Sequence, residues 1–195
     1  MAYPAFEFIS PDEYLNIEIR ADKKHEYFDG RMYAMSGASF DHNYIVSTLA
    51  SKIGTYLDGK DCDVMIADLR VTTPQLDSFM YPDLTILCEE IKSKENTFDT
   101  LTNPTAIIEV MSPSTKGYDM AFKFHYYKQI LSLKEYILVD STKYFVQVHR
   151  RQNDVLWTEA INTEDINSSL TIGTIDMQLP LADIYRKVSF ANDHK

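Results

Sequence analysis

The sequence predicts a mixed α/β (α+β) fold in which a central mixed sheet is flanked by helices. Three observations carry this. Capping residues and apolar spacing mark helices near residues 10–19, 39–57 and 115–131. Runs rich in β-branched and aromatic residues mark strands at 62–73, 83–88 and 105–111, and again beyond residue 134. The order is helix, hairpin, helix, strands, helix, strands, with no repeat and no linker-like tract, so residues 1–195 read as one layered domain.

Each element has its own signal. Ser10, Pro11, Asp12 and Glu13 form a capping box with proline at the first helical position, and a short helix to about residue 19 follows. Asp29-Gly30 lies between aromatic-rich runs; both turn positions need positive φ, which marks a hairpin. Over 39–57, Ile45, Leu49, Ile53 and the Tyr56/Leu57 pair recur at helical spacing and form one apolar face. Pro74 and Pro104 bracket loops between the strand runs, and polar residues 89–103 read as a long connection. Over 115–131, Tyr118, Phe122, Tyr126 and Ile130 share a face. Strands at 135–140, 144–150 and 154–161 follow, then a further strand at 171–179 and a short helix at 181–186.

Composition bounds the function. At 45% hydrophobic and 25% charged residues, the chain is globular rather than disordered. A net charge of −10 speaks against a partner held by its phosphates. The charge is uneven, however. Residues 104–152 are net +3, while 1–57, 58–103 and 153–195 are net −3, −6 and −4. Cys62 and Cys88 lack metal-ligand or redox spacing and read as buried free thiols in a reducing compartment. No basic segment followed by an apolar run opens the chain, and no apolar stretch nears the roughly 18 residues of a membrane span. The expected location is the cytoplasm, with no membrane partner.

Two strand-borne carboxylates stand out. Asp83 opens the run 83–88, and Glu109 interrupts the apolar run 105–111. An ionised carboxylate there is costly unless it is paired, exposed at a strand end or bound to a cation; a salt-bridged or surface residue is the plain alternative. From Glu109 to the turn at 112–115 the chain covers roughly 10 Å at strand rise. A helix folding back antiparallel would carry Lys123 roughly 9 Å in return, to the level of Glu109. Two carboxylates and a lysine make a hydrolytic set. Mg2+ takes one or two carboxylates plus water and phosphate oxygens, and the lysine would orient water or stabilise transition-state charge.

In this order and spacing the residues resemble the Uma-type restriction endonuclease family of the PD-(D/E)XK nuclease superfamily. The resemblance is strongest over residues 10–150. It rests on Tyr14-Leu15, Glu26 with Asp29-Gly30, His42, Asp68, Pro82-Asp83, the run EVMSPST beginning at Glu109, Asp119 with Lys123 and Tyr127, and the run EYILVD beginning at Glu135. It implies a restriction-endonuclease-like core and a Mg2+- or Mn2+-dependent endonuclease acting on DNA. Asp83 and Glu109 would be the metal ligands, with the Val110 carbonyl as a backbone oxygen. Glu26 would assist the metal site, and Lys123 would be the catalytic lysine. One departure is that Met111 stands where the superfamily places a lysine two residues after the acid. A catalytically inactive binding or assembly module of the same fold is therefore the rival reading.

Other residues carry weaker signals. His42 fits an assisting role or an exposed or capping one. Asp119 reads as an i,i+4 pair with Lys123 worth a few tenths of a kcal/mol. Asp68 reads as a strand-end residue near the site or a buried hydrogen-bonding one. Tyr127 reads as core, with stacking or hydrogen bonding near the substrate as the alternative. Ser112 and Ser114 have no histidine placed to activate them and read as helix caps. His25, His125, His149 and His194 show no ligand spacing. A homodimer suits a small site that cuts one strand at a time. The overall acidity predicts weak non-specific affinity for DNA.

Overall fold

The computed structural model describes residues 8–190 apart from 95, 96 and 98. His194 and the N-terminal stretch read above for a leader lie outside the described residues. The chain forms α1 (Pro11–Glu18), β1 (His25–Phe28), β2 (Arg31–Ala34), α2 (Phe40–Leu57), β3 (Asp63–Ile66), β4 (Arg70–Thr72), β5 (Ser78–Met80), β6 (Leu84–Leu87), β7 (Thr100–Leu101) and β8 (Ala106–Met111). A π-helical segment (Tyr118–Lys123) runs into α3 (Phe124–Tyr127), followed by β9 (Glu135–Asp140), β10 (Val146–Arg151), β11 (Trp157–Thr163), β12 (Ser169–Ile172), β13 (Met177–Pro180) and α4 (Leu181–Ile184).

Local signals fold as expected. Ser10 and Glu13 cap α1 reciprocally, and Asp29-Gly30 turns the β1–β2 hairpin at φ +46° and +83°. The expected central mixed sheet is present, joined by a second mixed sheet and a two-stranded one. A six-stranded mixed sheet has the order β11-β10-β9-β8-β6-β3, and a five-stranded one the order β2-β1-β5-β4-β7. The expected strand over 62–73 breaks at Ala67, where φ is +39°, so β3 joins one sheet and β4 the other. A sequence pattern of period two cannot show which sheet a strand joins. The long connection contains β7, which pairs with β4. The expected strand over 171–179 is a hairpin, β12–β13, with a 3-10 turn at Gly173–Ile175.

β8 lies at the heart of the larger sheet, antiparallel to β6 and parallel to β9. Its alternation sets the layers. Ile108 and Val110 face α2, whose Ile45, Leu49, Ile53 and Leu57 are buried against that side. Each such side chain contributes roughly 1.5–3 kcal/mol on burial. Ile107 and Met111 face the other layer, with Tyr126, Tyr127 and Ile130. Glu109 shares their parity, so its carboxylate points toward the helix after β8. Among the described residues, no helix is long and apolar enough to cross a membrane.

The cysteines correct a second expectation. Cys62 and Cys88 are a disulfide, not free thiols. They flank the paired strands β3 and β6, where Asp63 lies opposite Leu87, which brings their Cα atoms to 4.1 Å. Linear spacing does not reveal cross-strand proximity, and the bond removes cysteine chemistry as support for a reducing compartment. Reduction, or Cys62→Ser with Cys88→Ser, is expected to lower unfolding stability by about 3 kcal/mol through loop entropy, read as a lower urea midpoint.

Candidate active site

Asp83, Glu109, Glu26 and Lys123 come from four separate elements and line one cleft of about 920 Å³. Asp83 precedes β6 because Pro82 has no amide hydrogen for a strand ladder. Its Oδ2 accepts the Val110 amide at 2.8 Å, which fixes it beside β8. Glu109 is buried in β8, and Glu26 is buried in β1 of the other sheet. Lys123 ends the π-helical segment, 4% exposed. Its Nζ lies 2.9 Å from both Glu109 Oε1 and Glu26 Oε1, and 3.8 Å from Asp119 Oδ1.

Hydroxyls and an amide hold the acids. Tyr127 donates to Glu109 Oε1 at 2.9 Å and Tyr118 to Glu26 Oε2 at 2.8 Å. The Tyr81 amide donates to Glu26 Oε1 at 3.1 Å. The Tyr136 hydroxyl takes the Asp119 carbonyl at 2.9 Å, inside the π-helical stretch. Segments of that kind are rare and cluster at functional sites.

The electrostatics are those of a site with excess negative charge. Burial pushes the Glu109 carboxyl well above the usual range; Lys123 opposes this, while Asp119, Asp83 and Glu26 add to it. Burial likewise raises Asp119, to about 6. Burial works against the Lys123 ammonium, yet Glu109, Glu26 and Asp119 outweigh it and hold the lysine charged well above its ordinary range. His42 Nε2 stands 3.1 Å from Asp83 Oδ1. Burial lowers its pKa, but Asp83 and the Val110 backbone outweigh that and raise it.

A divalent ion fits this donor set. Among the described residues no three His, Cys, Asp or Glu side chains form a preformed cage. Two carboxylates, Asp83 and Glu109, with the Val110 carbonyl suit an ion that keeps water and phosphate oxygens in its shell, as Mg2+ does. Three carboxylates within 4 Å of one lysine, with Asp83 beside them in the cleft, leave negative charge for such an ion to offset.

Several sequence expectations change here. Asp119 pairs with Lys123 at i,i+4 as expected, but the pair is buried rather than a marginal one, and Asp119, 4% exposed, belongs to the cluster. Its i,i+4 spacing was visible, but its burial depends on how the π-helical segment packs. Tyr127 is core, as expected, and also a hydrogen-bond donor to Glu109. Tyr118 was read as part of an apolar stripe, whereas its hydroxyl serves the site. Asp68 is not buried and does not line the cleft, although the amide of its neighbour Ala67 donates to the Asp83 carbonyl at 3.1 Å. It is exposed and paired with Lys24. Ser112 and Ser114 bond each other, and Ser112 also bonds Thr115, so neither hydroxyl caps the helix.

The Uma2 family model, described as "Putative restriction endonuclease", matches residues 11–182. Two uncharacterized proteins of Synechocystis sp. are similar along most of their length. One, slr1290, is 34% identical over 95% of both chains. The other, sll1609, is 31% identical over 80% of this chain and 89% of its own. A crystal structure from Anabaena variabilis, titled as a "putative nuclease belonging to DUF820", superposes with a TM-score of 0.73. It covers 91% of this chain and 98% of its own at 20% identity, which is a likeness of fold.

Two outcomes follow from the charge cluster. Lys123→Met strands Glu109 and Glu26 without their cation. In urea unfolding at pH 8 with chelator it is expected to cost about 3–5 kcal/mol, and less at pH 4, where Glu109 is protonated. Asp119 has a folded pKa of about 6 against an ordinary 3.8, so its protonated form is favoured by folding. Its contribution is complete below pH 4 and is lost as pH rises through about 6. The stability advantage of wild type over Asp119→Asn should therefore fall by roughly 3 kcal/mol across that window, measured by thermal unfolding in chelator.

Proposed function

The chain belongs to the Uma2 family, and on that premise we propose that it is a metal-dependent endonuclease hydrolysing phosphodiester bonds in DNA. The observation that carries the reading is the Lys123 ammonium, held 2.9 Å from Glu109 and from Glu26 in a cleft that Asp83 also lines. Lys123 thereby fills the role left vacant by Met111, from the following helix rather than from the strand.

In this mechanism Asp83 and Glu109 would hold Mg2+ or Mn2+, with the Val110 carbonyl as a third oxygen. When bound, the ion supplies charge neutralisation at the phosphate and a lower pKa for water. Lys123 donates a hydrogen bond to the attacking water or to a non-bridging phosphate oxygen, stabilising the charge that develops on the phosphate. Glu26 keeps the ammonium charged and aimed, and Tyr118 fixes Glu26 in turn. Tyr127 fixes Glu109. Water attacks phosphorus, the bond to the leaving oxygen breaks, and the proton lost by water passes to solvent. The same proposal carries a homodimer acting in the cytoplasm. Sedimentation tests the dimer.

Nicking of supercoiled plasmid is expected with Mg2+ or Mn2+ and not with EDTA. Asp83→Ala and Glu109→Ala should abolish it, and Lys123→Ala should slow it by about 10²–10³-fold. Calorimetry should show Mn2+ binding that Asp83→Ala loses. Failure to cut any nucleic acid with any divalent ion sinks the reading.

A further inference from the structure

Two features of the cleft point to the form of DNA it accepts. The first is charge. Five carboxylates line the cleft, those of Glu26, Asp41, Asp83, Glu109 and Asp119, against the single lysine Lys123. Lys123 is held between Glu26 and Glu109. Lys116, the next cation along the chain before it, is paired with Asp140 at 2.9 Å. A duplex carries one negative charge per roughly 1.7 Å of axis and is gripped mainly by basic side chains. Among the described residues, the lining of this cleft does not supply such a grip.

The second feature is an aromatic step beside the acids. Tyr33 on β2, and Met35 just after it, line the cleft and are 41% and 37% exposed. Tyr33 is braced from behind by buried Phe28, edge-on at 6.0 Å between ring centroids. Phe28 also braces Tyr118 at 5.9 Å, and the Tyr118 hydroxyl reaches Glu26. The Tyr33 ring is thus fixed at its back and exposed on the side of the cleft, on the same hairpin as Glu26. Bases inside a duplex have no face free to meet such a ring. An unpaired base does, and stacking on it does not require positive charge.

Building on the endonuclease reading, we propose that the substrate is single-stranded DNA, with an unpaired base stacked on Tyr33 while its phosphate meets the divalent ion that Asp83 and Glu109 would hold. Stacking then supplies the affinity that the acidic lining withholds, and the site selects an unpaired strand over a duplex.

The test is fluorescence anisotropy with a labelled oligonucleotide, single-stranded or annealed to its complement, with Ca2+ present and cleavage assayed in parallel with Mn2+. Wild type should bind the single strand at least about tenfold tighter than the duplex, with Tyr33→Ala losing about tenfold of that affinity and Tyr33→Phe keeping it. Tyr33 is partly exposed, and circular dichroism of Tyr33→Ala checks that the fold is retained. Equal or tighter binding of duplex, or an unchanged Tyr33→Ala, overturns the proposal while continued metal-dependent cutting leaves the endonuclease reading intact. If no nucleic acid is bound or cut, both fall together.

Discussion

One buried cation organises this molecule. Lys123 sits at 5% side-chain exposure between Glu109 of the six-stranded sheet and Glu26 of the five-stranded one, 2.9 Å from each. Removing an ammonium and two carboxylates from water costs several kcal/mol per ion, and only close pairing with further hydrogen bonds offsets it. Tyr118, Tyr127 and the Tyr81 amide provide those bonds. The two sheets are therefore held together at a polar point beneath the cleft as well as by apolar packing. Such a point is a weak source of net stability and a strong constraint on geometry, because few arrangements satisfy every partner.

The same constraint links structure to chemistry. The cluster has more carboxylates than cations, and burial drives Glu109 and Asp119 upward in pKa. A site made only for stability would have balanced its charges or replaced them with apolar side chains. Unbalanced acids aligned in an open cleft suit a ligand that brings positive charge with it. The −10 net charge of the chain has the same consequence on a larger scale. It disfavours broad contact with a phosphate backbone and leaves local contacts to decide what enters.

Some of this was legible in linear order. The Ser10–Glu13 box, the Asp29-Gly30 turn and the apolar face of α2 are short-range features, and each folded where its signal placed it. Glu109 drew notice because a charge inside an apolar run needs an explanation. The return of Lys123 to its level followed from comparing strand rise with helical rise, and their contact bears that out. The features that were not legible all depend on long-range pairing. The split of residues 62–73 between two sheets, the Cys62–Cys88 bond and the burial of Asp119 are decided by partners distant in sequence. So is the placement of Asp68, which a family resemblance drew toward the site and the fold leaves on the surface beside Lys24.

A family resemblance marked Glu26; residue type and order by themselves determined that Asp83, Glu109 and Lys123 are chemically capable, and which face each occupies on its own strand or helix. Those properties follow from residue type and from backbone periods of two and about 3.6, which are local. Only the tertiary structure decided that the five-stranded sheet brings Glu26 against the lysine of another layer, that Tyr118 and Tyr127 turn their hydroxyls to the acids, and that Tyr33 stands exposed at the cleft. Those depend on how two sheets pack across a shared buried charge, and no spacing along the chain encodes a distance between layers.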